Sequence, residues 1–123
     1  GNWVSASDIN RKEEIELLEP VLNKLMNLNG YTYKFKLADK EIEKGDIAPI
    51  TYGVIAQEVI KEFPELVDVA QDGSHYMSYT ELIPILLKGT PEQQELINNL
   101  EEENQSLKQR LDALESRLQN AGF

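Results

Sequence analysis

The sequence predicts an α+β fold, in which a small head of short helices and strands is followed by one long C-terminal helix. An alternating run of aromatic residues that begins at Tyr31 indicates a strand, and an unbroken heptad pattern that ends at Leu118 indicates the long helix. The length of 123 residues suits one small domain with an appendage. We therefore divide the chain into residues 1–6, which end an upstream segment or remain from cloning, a head at 7–88 and a coiled-coil helix at 89–123.

The first helix is predicted after Glu19, because Pro20 is well tolerated at the first position of a helix. We expect the helix to run over about 20–28, since the turn signal Asn29-Gly30 follows. Its apolar face is predicted to be buried and consists of Val21, Leu22, Leu25 and Met26.

A strand is predicted after this turn. Tyr31, Tyr33, Phe35 and Leu37 alternate with polar residues, the period of two that is typical of a strand with one buried face. Residues 38–49 are charged and contain a glycine, so we expect an exposed loop there. The carboxylates of this loop alternate with lysines and lack the EF-hand pattern, so no calcium site is predicted.

A short amphipathic helix and a hairpin complete the pattern of the head. Apolar residues recur at helical spacing over 54–63, and Pro64 is expected to end this helix. Its core-facing residues are predicted to be Val54, Ile55, Val59, Ile60 and Phe63. Residues 66–70 and 74–78 then flank Asp72-Gly73, which is a strong turn signal, so we expect a small hairpin.

Two helices are predicted at the end of the head. Ser78 and Glu81 have the spacing of a capping box, so a helix is expected to start there. Pro84 is expected to kink it, and Gly89 to interrupt it. Thr90-Pro91 then supplies an N-cap and a first helical position for a second, separate helix.

The last helix has the heptad pattern of a coiled coil. Position a is held by Ile97, Asn104, Leu111 and Leu118, and position d by Leu100, Leu107 and Leu114. In parallel chains Glu103 would face Lys108, and Arg110 would face Glu115, so both pairs are opposite in sign and favour parallel, in-register packing. Leucine at both positions does not choose between two and three strands. A single helix folded back on its own head stays open as an alternative.

Composition excludes several classes of function. The net charge of −10 disfavours nucleic acid and anionic membrane surfaces as partners. The chain has no cysteine and one histidine, His75, which makes thiolate chemistry, the usual zinc sites and a serine–histidine–aspartate triad improbable. We therefore predict no metal and no cofactor. No apolar run is long enough to span a bilayer.

Four segments, in this order, resemble the intramolecular chaperone domain at the C-terminus of endosialidases and of trimeric phage tail spikes and tail fibres. They are Ser7-Asp8 with Lys12, the helix leading into residues 29–33, the stretch 52–67, and residues 82–84 leading to the heptads. The resemblance implies a homotrimer with a parallel trimeric coiled coil, whose partner is the upstream β-stalk of its own polypeptide. It also implies that the domain acts during virion tail assembly in the cytoplasm of the bacterial host.

Many members of this family cut themselves off after assembly. The resemblance implies a dyad of Ser7 and Lys12, a scissile bond between Ala6 and Ser7, and a supporting turn at Asp8, so that the released chaperone is lost from the mature particle. A serine is a poor nucleophile until a base removes its proton, and a lysine serves only where burial or nearby positive charge keeps it neutral. Without the resemblance, Ser7, Asp8 or Asn10 merely caps a local turn.

Whether the chain is an autoprotease therefore stays open at this point, and two alternatives remain. The family usually places an arginine three residues after the serine, where this chain has Asn10 followed by Arg11. One alternative is accordingly a permanent trimerisation cap of a fibre that is never cut. The other is a self-cleaving release domain of a membrane-tethered regulator, because the sequence also resembles the domain that releases myelin-regulatory-factor-like transcription factors.

Overall fold

The structure, a computed structural model, describes residue 4 and residues 6–122. Its regular elements, in chain order, are α1 (Leu22–Leu25), β1 (Tyr31–Tyr33), α2 (Asp39–Glu43), β2 (Thr51–Gly53), α3 (Ala56–Glu62), β3 (Val67–Val69), β4 (His75–Met77) and α4 (Tyr79–Asn120). The predicted architecture, a small head of short helices and strands followed by a long helix, is confirmed. The upstream segment assigned to residues 1–6 lies mostly outside the described residues, which include only residues 4 and 6 of it.

The β part of the head consists of two antiparallel strand pairs. In the first, β1 pairs with β2 and Tyr31 lies opposite Gly53. The strand predicted over 31–37 was too long, because only three of its residues have a partner on β2 and Phe35 is 67% exposed. Gly53 permits a close approach of α4, since a Cβ at this position would lie 2.5 Å from the hydroxyl oxygen of Tyr79.

The segment predicted as a loop at 38–49 contains the short helix α2, so that prediction was wrong in part. Glu41 closes the start of this helix, because its carboxylate accepts the backbone N–H of Ala38 at 3.2 Å. Such a bond satisfies one of the N–H groups that a helix start leaves unpaired. All the residues of α2 are exposed, as predicted for the segment.

α3 is the predicted amphipathic helix, and its buried face carries the middle of the core. Val59 is fully buried and Phe63, which follows the helix, is 3% exposed. Pro64 ends the helix and opens a 3₁₀ turn, Pro64–Leu66, that leads into β3. Ile55 was wrongly predicted to face the core: it is the N-cap residue of α3, and 41% of it is exposed.

The predicted hairpin forms between β3 and β4, with Val67 opposite Met77. At its turn Gly73 has a φ of 88°, a left-handed backbone that glycine adopts without a Cβ clash. The carboxylate of Asp72 accepts the backbone N–H of Ser74 at 2.9 Å. That bond and a second one from the Ser74 hydroxyl lower the pKa of Asp72.

The core of the head is small and lies between α1, α3, β3 and the first turns of α4. The buried apolar residues described are Val21, Val59, Phe63, Leu66, Val67 and Ile85. α1 is shorter than predicted: its N-cap is Val21, so Pro20 lies before the helix and does not occupy its first position. Met26, the C-cap residue of α1, is 74% exposed, which corrects its predicted burial.

α4 is one uninterrupted helix of 42 residues, where two helices separated by Gly89 were predicted. Gly89 does not break the helix because it is a packing site: it is buried, and a Cβ there would overlap with Cδ1 of Leu25 on α1. Pro84 and Pro91 both lie inside the helix. Ser78 is the N-cap but its side chain makes no capping bond, so the predicted capping box is wrong.

A carboxylate of α4 caps α1 from 71 residues away. The Glu92 oxygens accept the backbone N–H of Val21 at 3.1 and 3.0 Å, and Oε2 also accepts the N–H of Leu22 at 2.9 Å. These bonds satisfy N–H groups that the start of α1 would otherwise leave unpaired, and the negative charge suits the positive end of the helix. Glu92 and Gly89 together hold α1 against α4, and we call this contact the α1–α4 clasp.

The clasp predicts a specific loss of stability in Glu92→Ala. We expect the variant to unfold with about 1–2 kcal/mol less free energy than the wild type, because it leaves the N–H groups of Val21 and Leu22 without their acceptor. Urea unfolding followed by circular dichroism at 222 nm measures this. Glu102→Ala, an exposed site on the same helix, is the matched control, and equal stabilities of the two variants would contradict the cap.

The hairpin turn predicts a pH-dependent contribution from Asp72. Its pKa is lower in the folded chain than the ordinary 3.8, so ionised Asp72 stabilises the fold above that value. The stability difference between the wild type and Asp72→Asn should be constant from neutral pH down to about this range and then shrink as the pH falls through the lowered pKa. Paired unfolding curves at several pH values test this, with Asp112→Asn on the exposed part of α4 as the control. A difference that grew towards low pH would contradict the assignment.

Candidate functional site

The predicted site residues lie in a tight turn ahead of the head. Residues Ile9–Arg11 form one turn of 3₁₀ helix with Asp8 as its N-cap. The Asp8 carboxylate accepts the backbone N–H of Asn10 at 2.9 Å, and its carbonyl oxygen accepts the N–H of Arg11 at 3.0 Å. Asp8 therefore fixes the path of the chain between the serine and the lysine of the implied dyad.

This turn brings Ser7 and Lys12 together. The Nζ of Lys12 lies 2.9 Å from the Oγ of Ser7 and donates a hydrogen bond to it. That distance is within the range required of a base that takes the proton of a nucleophile. The direction of the bond matters, since an amine that acts as a base must accept the hydroxyl proton and must first be neutral.

The whole site is open to solvent in the single chain. All residues from 6 to 20 are exposed, including Ala6, Ser7 and Lys12. Beyond the lysine, Glu14 has a φ of 50°, which lies in the left-handed region of the backbone map. Burial, one of the conditions that make a lysine an effective base, therefore has to come from outside this segment.

A second concave site, which the sequence did not indicate, lies between β1, β4 and the start of α4. It is a cleft of about 650 Å³ with a largely aromatic lining that includes Tyr31, Tyr33, Phe35, Tyr76 and Tyr79. The hydroxyl of Tyr31 donates to the Glu58 carboxylate at 2.6 Å, and this bond and burial raise the pKa of Tyr31. Burial, followed by a hydrogen bond with Tyr79, raises the pKa of Tyr33.

Both pKa shifts are upward from the ordinary value of 10.0 and therefore favour the protonated form of Tyr31 and Tyr33. His75, at the edge of the cleft, has Nδ1 at 2.9 Å from the carbonyl oxygen of Gly73 and donates to it. Over residues 6–122 no group of three histidine, cysteine or acidic side chains is placed to hold a metal ion. No helix in the same range is both long and apolar enough to cross a membrane.

The predicted coiled-coil residues lie along the exposed part of α4. Every residue from 93 to 122 is exposed in the single chain. The exposed fraction is 40% for Ile97, 50% for Leu100 and 53–58% for Leu107, Leu111, Leu114 and Leu118. Asn104 lies among them, on the same stripe. The helix thus presents an apolar stripe to water over several turns, and burying such a stripe against another helix is strongly favourable.

Comparison with protein-family models matches residues 7–68 to the family described as chaperone of endosialidase. The chain belongs to this family. No curated protein matched the chain. In this chaperone of endosialidase the matched segment starts at Ser7 and ends at Asp68 in β3, so it contains the serine, the lysine and α1 to α3, whereas α4 lies outside it.

Sequence reasoning missed the polar contacts that hold this chaperone domain together. Glu58 follows Gln57 in a helix that was read for its apolar face only, yet its carboxylate accepts a hydrogen bond from the hydroxyl of Tyr31 on β1. Glu92 directly follows the Thr90-Pro91 pair that was read as the start of a second helix, yet it caps α1. One signal was available for the first pair, since a tyrosine on the buried face of a strand needs a partner for its hydroxyl. The contact of Glu92 with α1 had no local signal in the sequence.

Proposed function

We propose that this chain is an intramolecular chaperone that trimerises and thereby registers an upstream β-structure of its own polypeptide, in a phage tail fibre or tail spike. The observation that carries the proposal is the exposed a/d stripe of α4, joined without a break to a head of the chaperone of endosialidase family. Its partners are two further copies of the chain and the upstream stalk that precedes residue 7. Residues 7–88 act as the head and 89–123 as the coiled coil.

The surface of the single chain supports association. A compact monomer of 14.0 kDa exposes about 6,700 Å², whereas this chain exposes 11236 Å². One contributor to this surface is a helix whose apolar residues face water from Ile97 to Leu118. A parallel coiled coil buries that stripe and brings the pairs Glu103 with Lys108 and Arg110 with Glu115 together between neighbours. Asn104 fixes the register at some cost in stability.

Registration is the physical basis of the chaperone role. An intertwined β-stalk is slow to start, because three chains must meet in register before any of its long-range contacts form. α4 is roughly 63 Å long at ~1.5 Å per residue, so a trimer of such helices is a stable assembly centre. Once the trimer has formed, the three upstream chains are held together at a high effective concentration. Assembly would take place in the cytoplasm of the bacterial host.

We further propose that the chain cuts itself once, between Ala6 and Ser7. Lys12 in its neutral form takes the proton of Ser7 Oγ, and the oxygen attacks the carbonyl carbon of Ala6. The C–N bond breaks as the Ser7 nitrogen gains a proton, which leaves an ester between Ala6 and the serine oxygen. One water molecule then hydrolyses the ester to the Ala6 carboxylic acid and the free Ser7 hydroxyl. The 2.9 Å approach of Lys12 and the turn held by Asp8 support this assignment.

Cleavage is expected to follow assembly. Ser7 and Lys12 are exposed in the single chain, and the proposal requires that neighbouring chains cover the lysine and favour its neutral form. Release after assembly removes the chaperone from the finished particle and leaves the stalk behind a high unfolding barrier. A permanent cap remains the second candidate, and it is favoured by Asn10, which stands where the family usually has an arginine.

The self-cleavage proposal predicts loss of release in two single variants. When the domain is expressed behind its own upstream stalk, the wild type should release a fragment that starts at Ser7, whereas Ser7→Ala and Lys12→Ala should stay joined. Ser7→Ala removes the nucleophile and Lys12→Ala removes the base. Intact mass spectrometry measures the product, and Ser106→Ala and Lys40→Ala, at exposed sites far along the chain, are matched controls.

Unchanged release in both dyad variants would exclude Ser7 and Lys12 as the cleaving pair. A wild type that trimerises and never cuts would favour the permanent cap. Asn10→Arg separates these cases further, because it restores the residue that the family usually has. Cleavage in Asn10→Arg alone would identify Asn10 as the disabling difference.

The chaperone proposal predicts that the fibre depends on the a/d stripe. Leu107→Asp should abolish the trimer, because it places a charge in the buried layer, and the attached upstream stalk should become insoluble. Gln109→Asp adds the same charge at position f, which faces away from the stripe, and should behave as the wild type. Multi-angle light scattering at micromolar concentration and the soluble fraction of the fibre measure the two effects. A wild type that is a monomer, or a soluble native fibre with Leu107→Asp, would refute the proposal.

A further inference from the structure

The first four turns of α4 carry the head on one side only. Leu82, Ile85, Gly89 and Glu92 face α1 and the core: Ile85 is 5% exposed, Gly89 is buried, and the other two are half-buried. Continuing the heptad lettering back from Ile97 places these residues at positions g, c, g and c. The head therefore occupies the c/g side of the helix, next to the a/d stripe and not on it.

The N-terminal arm lies against a further side of the same turns. Residues 16–18 and the α4 residues Pro84, Leu87, Lys88 and Pro91 are among those that line a shared groove of about 410 Å³. In the heptad lettering Pro84 and Pro91 are both at position b and Lys88 is at f. The prolines are seven residues apart, so their missing N–H groups fall on one side of the helix, away from a and d. The chain itself thus packs on the first turns of α4 on the c and g sides, and its arm lines a groove next to positions b and f.

The head leaves the a/d side of these turns open. Position a is occupied by Ile83 and Thr90, and position d by Leu86 and Gln93. Ile83 is 64% exposed and Leu86 is 48% exposed, although both lie within the head region. Because α4 is continuous from Tyr79 to Asn120, the register of the heptads carries through to these residues.

The open a/d side ends at the N-terminal end of α4. Tyr79 is the next d position, but its hydroxyl oxygen accepts the backbone N–H of Val54 at 3.2 Å, so its side chain is turned towards the sheet of its own head. Between Leu86 and Ile97 the stripe is polar, and the Thr90 hydroxyl is satisfied by the carbonyl oxygen of Leu86 at 2.9 Å. The apolar stripe consequently has two parts, one in the coiled coil and one at Ile83 and Leu86, joined by a polar layer.

We infer that neighbouring copies of this chain contact each other through Ile83 and Leu86 as well as through the coiled coil, so that the heads are packed around the trimer axis. This inference rests on the proposed trimer and specifies which surface of the head its partner covers. The occupant is a second copy of the chain, because this surface continues the coiled-coil stripe on one unbroken helix and in one register.

Packing of the heads at Ile83 and Leu86 would also position the N-terminal arms. The clasp of Glu92 on Val21 and Leu22 is six to nine residues along α4 from these two positions. Each arm would then leave the trimer at the same height and in the same orientation relative to its neighbours. Head packing would thus hold the three upstream chains in register. A coiled coil alone would not do so if a loosely held head separated it from the arms.

Single cysteines test the inference cleanly, because the natural chain contains none. We would oxidise three variants of the full chain under identical conditions: Leu86→Cys at position d in the head, Leu107→Cys at position d in the coiled coil, and Glu81→Cys at position f as the matched control. Leu86→Cys and Leu107→Cys should both give a covalent dimer with one unpaired chain per trimer, and Glu81→Cys should stay uncrosslinked. Ile83→Cys is a second head variant, in case Leu86→Cys does not fold.

The outcomes separate this inference from the proposed function. Crosslinking of Leu107→Cys without Leu86→Cys or Ile83→Cys would leave the trimer intact and overturn the head contact, as expected if the heads splay apart or if the upstream stalk covers this side. No crosslinking in any variant, with a monomer in light scattering, would refute the trimer itself. Equal crosslinking of Glu81→Cys and Leu86→Cys would also overturn the inference, because it would show random collision and not a specific face.

Discussion

The α1–α4 clasp is the contact on which the rest of this structure depends. α1 has only four residues, far too few to be stable as an isolated helix, and it owes its position to Gly89 and Glu92 of α4. Gly89 lets Leu25 approach the helix backbone, and Glu92 satisfies the N–H groups at the start of α1. Since Val21 and Ile85 of the core belong to these two helices, the clasp also closes the core.

The clasp explains which parts of the fold could be predicted from sequence. The hairpin, α3 and the heptads depend on neighbours a few residues apart, so turn chemistry and periodicity were sufficient to find them. Gly89 was misread as a helix breaker because glycine in a helix costs up to ~1 kcal/mol, and only the packed side chain of Leu25 shows why the helix tolerates it. Glu92 acts across 71 residues, a distance at which one sequence gives no signal.

In the candidate site, too, local features could be predicted from sequence and long-range ones could not. A serine followed by a lysine five residues later is a common pattern, and only the family resemblance gave Ser7 and Lys12 a role in advance. The 2.9 Å approach depends on the 3₁₀ turn that Asp8 caps, which is local and therefore within reach of sequence reasoning. The exposure of the pair could not be predicted from sequence. It depends on where the arm lies relative to the head, and the clasp determines how the head packs.

The apolar stripe of α4 and the Ser7–Lys12 pair are both exposed to solvent in the single chain. The a/d side of α4 exposes apolar residues that need neighbours, and the Ser7–Lys12 pair lies in water where a lysine base needs cover. The clasp connects them, since it fixes the arm that carries the dyad to the helix that carries the stripe. Under the proposed function, the binding of two further copies would therefore bury the apolar stripe of the helix and also cover the lysine of the dyad. This coupling would give a physical reason for the proposed cutting to follow assembly: an unassembled chain would keep its chaperone because its base is uncovered, and a trimer would lose it only when registration is complete.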